Sequence, residues 1–166
     1  MAAITAAMVK ELREITGSGM MDCKKALGAT DGDMDKAVEW LRENGFMKAA
    51  KKAERIAAEG VCAAAVAEDG KSAAVVEVNS ETDFVAKNEK FTTFANQVAA
   101  KALKTAAADI EAFLEEEFES GKSIKDALTE QIAVIGENMN IRRFAVLVEN
   151  DGLVESYIHG SRIGVL

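Results

Sequence analysis

The sequence predicts an α+β chain, with helices first, then a pair of antiparallel strands, further helices, and strands again at the end. Three observations carry this. Apolar residues recur at spacings of three and four over the first part of the chain. From Val61 the period falls to two, and an Asp-Gly turn signal lies between two short alternating runs. Proline is absent, so nothing forces a break in the helical stretches.

Ile4, Met8, Leu12 and Ile15 form the stripe of a first helix, with Thr5 as its N-cap and Gly17-Ser18-Gly19 as its end. A second helix runs from about Met21 to Ala29 and stops at Thr30-Asp31-Gly32. Asp33 caps a third, with Met34, Ala37, Val38 and Leu41 on one face and Gly45 just past its end. Residues 1–45 thus read as one small helical domain. Residues 46–60 are rich in alanine and carry Lys48, Lys51, Lys52 and Arg55. They read as a connecting helix with a solvated basic face, against a sharper reading as a patch for phosphate or acidic groups.

Residues 61–140 form the next expected domain. Val61 to Ala67 and Ala73 to Asn79 are strands joined by Glu68-Asp69-Gly70-Lys71. Asn79 to Asn88 reads as a polar loop interrupted by Phe84 and Val85. A helix from about Glu89 to Lys104 carries Phe91, Phe94, Ala95, Val98, Ala99 and Ala102 in register. Asp109 to Phe118 reads as a shorter helix. Ser123 caps a longer one, with Ile124, Leu128, Ile132, Ile135 and Met139 on its stripe. Over 141–166, Phe144, Val146 and Val148 alternate along a strand. Asn150-Asp151-Gly152 turns the chain, Leu153 to His159 returns, and Ile163 to Leu166 starts a third strand after Gly160-Ser161-Arg162. That last strand is apolar and has no polar tail, which reads as a cut inside a domain.

The bulk numbers bound the function. A chain of 166 residues buries enough surface, roughly 70%, to need no disulfide or metal staple. Its net charge of -8 argues against nucleic acid as the main partner, because phosphate binding rests on clustered Lys and Arg. No apolar run is long enough to span a membrane, and residues 1–10 lack the features of a secretory signal. Cys23 and Cys62 read as reduced thiols of a cytoplasmic protein.

No catalytic constellation emerges. Gly121-Lys122-Ser123 matches the end of a phosphate-binding loop, but Glu116 stands where that loop requires its first glycine. Cys23, Cys62 and His159 lack metal-ligand spacing, and a Cys-His nucleophile would rest on their mere presence. The chain reads as a non-enzyme without a cofactor or metal.

Three segments remain. Lys10 to Leu27, which includes Leu12, places Met20 and Met21 in a glycine-flanked turn, where methionine serves either as core filler or as an adaptable contact. Val76 to Asn88 contains Thr82-Asp83-Phe84-Val85. Phe84 is there either a staple onto the following helix or a wedge for a partner's pocket. Ile135 to Phe144 and Tyr157 to Leu166 contain Ile135 and His159. In this order and spacing, the segments resemble the translation elongation factor Ts family over essentially the whole chain. Ser80 stands where the family often has cysteine.

The resemblance implies a ubiquitin-associated-like three-helix domain, an α+β core subdomain, and the truncated start of a second core subdomain. It implies guanine nucleotide exchange on the GTPase elongation factor Tu, with no direct nucleic acid or membrane partner. Thr82, Asp83, Phe84 and Val85 would dislodge magnesium from that GTPase. Leu12, Met20, Met21, Ile135 and His159 would contact it. Two other readings stand beside this one: a helical binding module that does not use Phe84, and a small cysteine-dependent enzyme.

Overall fold

The computed structural model describes residues 4–119 and 121–166. Met1, Ala2 and Ala3, where the expected first segment begins, lie outside the described residues, as does Ser120. The chain forms two compact units. One is the described part of Met1–Ala53 with Thr129–Gly136; the other is Glu54–Leu128 with Glu137–Leu166.

In the first unit, α1 (Ala6–Thr16) begins where the Thr5 hydroxyl accepts the Met8 N–H at 3.3 Å. It ends at Gly17, whose φ of 67° lets its N–H reach the Arg13 carbonyl. α2 (Met20–Ala29) follows, and Asp31 and Gly32 reverse the chain at positive φ. The Asp33 carboxylate then caps α3 (Met34–Ala50) through the Lys36 N–H. Leu12, Cys23, Ala26, Leu27 and Ala37 are fully buried, with Met8, Val9, Trp40 and Leu41 packed around them. Ile15, expected on the α1 stripe, is 62% exposed. It lies in the last turn of α1.

The third helix does not stop at Gly45. It runs on to Ala50, so Phe46 to Ala50 belong to α3 rather than to a separate connecting helix. A Cβ at Gly45 would lie 3.2 Å from the Ala133 Cβ. The missing side chain permits that close approach, and the packing outweighs glycine's helix penalty of about 1 kcal/mol. Of the basic residues nearby, Lys48 pairs with Asp22 at 2.7 Å and Arg55 lies 3.5 Å from Glu81. Half of the expected basic face is therefore spent on internal ion pairs.

In the second unit, β1 (Glu59–Val66) and β2 (Ser72–Ser80) form the expected antiparallel hairpin, with Gly70 at φ 66° in its turn. The stretch read as a polar loop contains a one-turn helix, α4 (Asp83–Ala86). α5 (Glu89–Ala102) starts at Asn88 and buries all six residues of its predicted stripe. The next expected helix is cut short. α6 (Ile110–Leu114) gives way to β3 (Glu117–Glu119), and there Phe118 packs on Phe94 with ring centroids 5.6 Å apart. β4 (Lys122–Ser123) pairs with β3, and the Ser123 hydroxyl accepts the Asp126 N–H at the start of α7 (Ile124–Ile135).

Gly136, at φ 91°, ends α7 before Met139. Met139 is instead the buried first residue of β5 (Met139–Val148), and its helical spacing from Ile135 is coincidental. β5 pairs with β2, giving a three-stranded sheet in the order β1-β2-β5. The expected return strand from Leu153 is not formed. Val154 is buried and donates its N–H to the Gly70 carbonyl. Only β6 (Tyr157–His159) is extended there, and it pairs with β7 (Ile163–Val165). A ten-residue strand needs a long partner, and β2 supplies one where 153–156 cannot.

One face of the sheet carries Val61, Ala63, Val76, Val78 and Ile141, and α5 packs on it. The other carries Cys62, Glu77 and Arg143, in register across the three strands. A bulge opposite Glu77 and Val78 inserts Arg142, so two arginines reach one carboxylate, at 3.2 and 2.7 Å. Burial pushes the Glu77 carboxyl up. The Arg143 and Asn79 hydrogen bonds and both arginine charges outweigh it and leave Glu77 below the ordinary 4.5. A depressed folded value contributes stability above pH 4.5 that is lost as the pH falls through that lower value. Glu77→Gln is expected to flatten this acid limb and to cost under about 1 kcal/mol at neutral pH, because the arginines are exposed. Urea midpoints measured on both sides of pH 4.5 check it; an unchanged acid limb would refute it.

Candidate functional site

Residues 81–88 connect β2 to α5 and carry the most exposed aromatic ring of the chain's described residues. Phe84 is 81% exposed, which excludes the staple reading for its side chain. Its neighbours Val85 and Ala86 face inward and are buried. A single turn alternates in this way because consecutive residues lie about 100° apart around a helix.

Thr82 starts the turn. Its hydroxyl oxygen accepts the Val85 N–H at 3.4 Å as an N-cap. The same hydroxyl donates to Glu137 Oε1 at 2.7 Å, and the Thr82 N–H donates to Glu137 Oε2 at 3.0 Å. The buried Ser80 hydroxyl donates to the Thr82 carbonyl at 3.1 Å. One residue earlier, Glu81 accepts the N–H of Asn138, and the Asn138 side chain donates to the Arg55 carbonyl at 2.7 Å. Two short segments, 81–82 and 137–138, therefore exchange carboxylates.

Asp83 points to solvent beside Phe84 and pairs with Lys87 at 2.7 Å. The Lys87 hydrogen bond and charge, joined by the charge of Arg162, hold its carboxyl below the ordinary 3.8. Arg162 sits in the turn between β6 and β7 and pairs with Glu59. That turn has Gly160 and Ser161 at φ 54° and 57°, with the Arg162 N–H on the His159 carbonyl. It is tied to the sheet where the Cys62 N–H meets the Ser161 carbonyl at 2.6 Å. His159 is exposed, and its Nδ1 lies 2.9 Å from the Tyr157 hydroxyl. Asp83 and the turn that follows His159 both belong to the second unit.

The remaining predicted residues lie in the first unit. Met20 and Met21 are 58% and 65% exposed at the start of α2, which favours the contact reading for both. Leu12 is fully buried in the core of the first unit, packed with Cys23, Ala26, Leu27 and Ala37. Ile135 is half-buried in the last turn of α7.

Glu81, Glu137 and Asn138 were not singled out from the sequence. The signal lay in the quoted segments, since both carboxylates sit one or two residues from a predicted site residue. Nothing in the sequence paired them. The second unit displays a ring beside charged groups, and the first unit displays two methionines; each set of side chains is suited to non-covalent contact. Among the described residues, no three His, Cys, Asp or Glu side chains group as metal ligands, and no helix is long and apolar enough to cross a membrane.

The family model for elongation factor TS matches residues 81–166, a stretch that begins at Glu81 and contains the whole Thr82–Val85 turn. Among curated proteins, the chain is 58% identical over 167 residues to elongation factor Ts of Clostridium tetani, covering 98% of the chain and 55% of that protein. It is 57% identical over 163 residues to elongation factor Ts of Methylococcus capsulatus, covering 98% and 56%. It is 54% identical over 164 residues to that of Hydrogenovibrio crunogenus, covering 99% and 55%. The chain spans about half the length of the curated relatives it matches.

Proposed function

The chain belongs to the elongation factor Ts family, and from that membership we propose that it acts as a guanine nucleotide exchange factor for the GTPase elongation factor Tu in translation elongation. The observation that carries this reading is Phe84, a ring displayed to solvent on a turn held from behind by Thr82, Val85 and Glu137. An exposed ring on a fixed support enters a partner's pocket with little loss of side-chain freedom.

In this reading Phe84 inserts between helices of the GTPase. Thr82, Asp83 and Val85 move with it to disturb the magnesium and phosphate site. Met20, Met21, Ile135 and His159 add contacts, while Leu12, expected among them, lies buried in the helical core of the first unit. The family's division into a ubiquitin-associated-like helical domain and core subdomains belongs to the same proposal, as does a cytoplasmic location. No catalytic residue or cofactor is required. A factor that binds the nucleotide-free GTPase more tightly than the GDP form must weaken GDP binding by the same ratio.

The test is release of a fluorescent GDP analogue from elongation factor Tu. It is measured with the 166-residue chain and with a form extended to the length of its relatives. Faster release with the extended form is expected. If that folded form leaves release unchanged, the proposal fails.

A further inference from the structure

We propose that Glu137 is a positioning residue for Phe84, its carboxylate clamping both donors of Thr82 so that the ring is preset for insertion. The inference rests on the exchange reading above and deepens it.

The physical need comes from the length of α4. A helix of four residues cannot hold itself together, because nucleation fixes several dihedrals for one hydrogen bond. The inward side chains Val85 and Ala86 are small and anchor only one side of the turn. Something must fix Thr82, the residue from which the turn springs. Glu137 does so with both oxygens, on the N–H at 3.0 Å and the hydroxyl at 2.7 Å. Bonds to a charged acceptor are about twice as strong as neutral ones, and two to one carboxylate fix direction as well as distance. With its proton committed to Glu137, the Thr82 oxygen turns a lone pair towards the Val85 N–H. The clamp therefore also sets the cap of the turn that carries the ring.

The opposite contact reinforces it. Glu81 accepts the Asn138 N–H while Asn138 donates to the Arg55 carbonyl. The segment that bears Glu137 is thereby held in place by the residue preceding Thr82. This order is established before the partner arrives, so Phe84 need not be ordered during insertion. Only a carboxylate offers two acceptors here. A glutamine would offer one and turn an N–H towards the Thr82 hydroxyl, disturbing its orientation.

The test is a double-mutant cycle read by stimulated GDP release, in the form of the protein that accelerates it. Glu137→Ala is expected to slow stimulated release on the order of tenfold, and Glu137→Gln and Thr82→Val to slow it less. Once Phe84→Ala is present, Glu137→Ala should remove little more, because the clamp acts only through the ring. Hydrogen exchange at the Val85 and Ala86 amides should quicken in Glu137→Ala while the sheet amides stay protected. Two results overturn the proposal: full activity in Glu137→Ala, or an undiminished loss in the Phe84→Ala background. Where Glu137→Ala does not fold, Thr82→Val carries the same cycle and decides by the same two results. If the unmodified protein fails to accelerate release, the exchange reading itself falls and takes this role with it.

Discussion

On the proposed exchange function, replacing Phe84 by alanine is expected to remove most of any acceleration of GDP release and to leave thermal unfolding almost unchanged. The ring is 81% exposed, so folding gains little from it. Surface substitutions of this kind usually change stability by no more than about 0.5 kcal/mol. The effect on the partner should be much larger. An aromatic anchor that fills a pocket typically contributes about 2 kcal/mol or more, which corresponds to roughly thirtyfold in affinity or rate. The measurement pairs a stimulated-release assay with a melting curve on the same preparation. A variant that melts normally and still accelerates release would move the wedge elsewhere. One that loses both stability and activity would mean that the ring supports the fold.

Phe94→Ala should show the reverse pattern. The side chain is buried on α5 and packs against Phe118. Truncating a buried phenylalanine costs about 3–5 kcal/mol, from lost transfer energy and from the cavity left behind. Against a total stability of roughly 5–15 kcal/mol, that is a large share. Calorimetry should show a transition lowered by about 10–20 °C. A shift equivalent to less than about 1 kcal/mol would mean that the α5 face is loosely packed. Any loss of exchange in this variant should be recovered on cooling, because Phe94 supports the sheet and does not meet the partner. The two substitutions lie on neighbouring helices and differ mainly in which way the ring faces.

Much of this fold was legible along the chain. Thr5, Asp33 and Ser123, the three residues read as caps, each accept a nearby N–H and start a helix, and each of these contacts spans three residues. The stripe of α5 was readable for the same reason, since its period is a property of one helix against one sheet. Errors arose where a distant partner decided the outcome. Gly45 reads as a helix end, but packing beside Ala133 carries the helix through it. Phe118 fits the end of a helix, yet it belongs to a short strand and packs on Phe94. Met139 continues a helical spacing, yet it opens β5, paired with Ser80 on β2.

The site divides along the same line. Its residues Thr82 to Val85 were found as a motif, and Met20 and Met21 as a glycine-flanked pair. The direction of the Phe84 ring is open in the sequence, and the structure turns it outward; Leu12, expected at the contact, is fully buried.

The sequence by itself determined an α+β chain with particular caps, turns and stripes, and a family resemblance that the comparisons bear out. Such features depend on residues a few positions apart, and the chain carries that geometry wherever it folds. Only the tertiary structure decided that β5 would pair with β2 and that Glu137 would meet Thr82 from 55 residues away. Contacts at that separation are chosen by which edges and donors remain unsatisfied once the local elements have formed. That competition among all segments leaves no signature in any one of them.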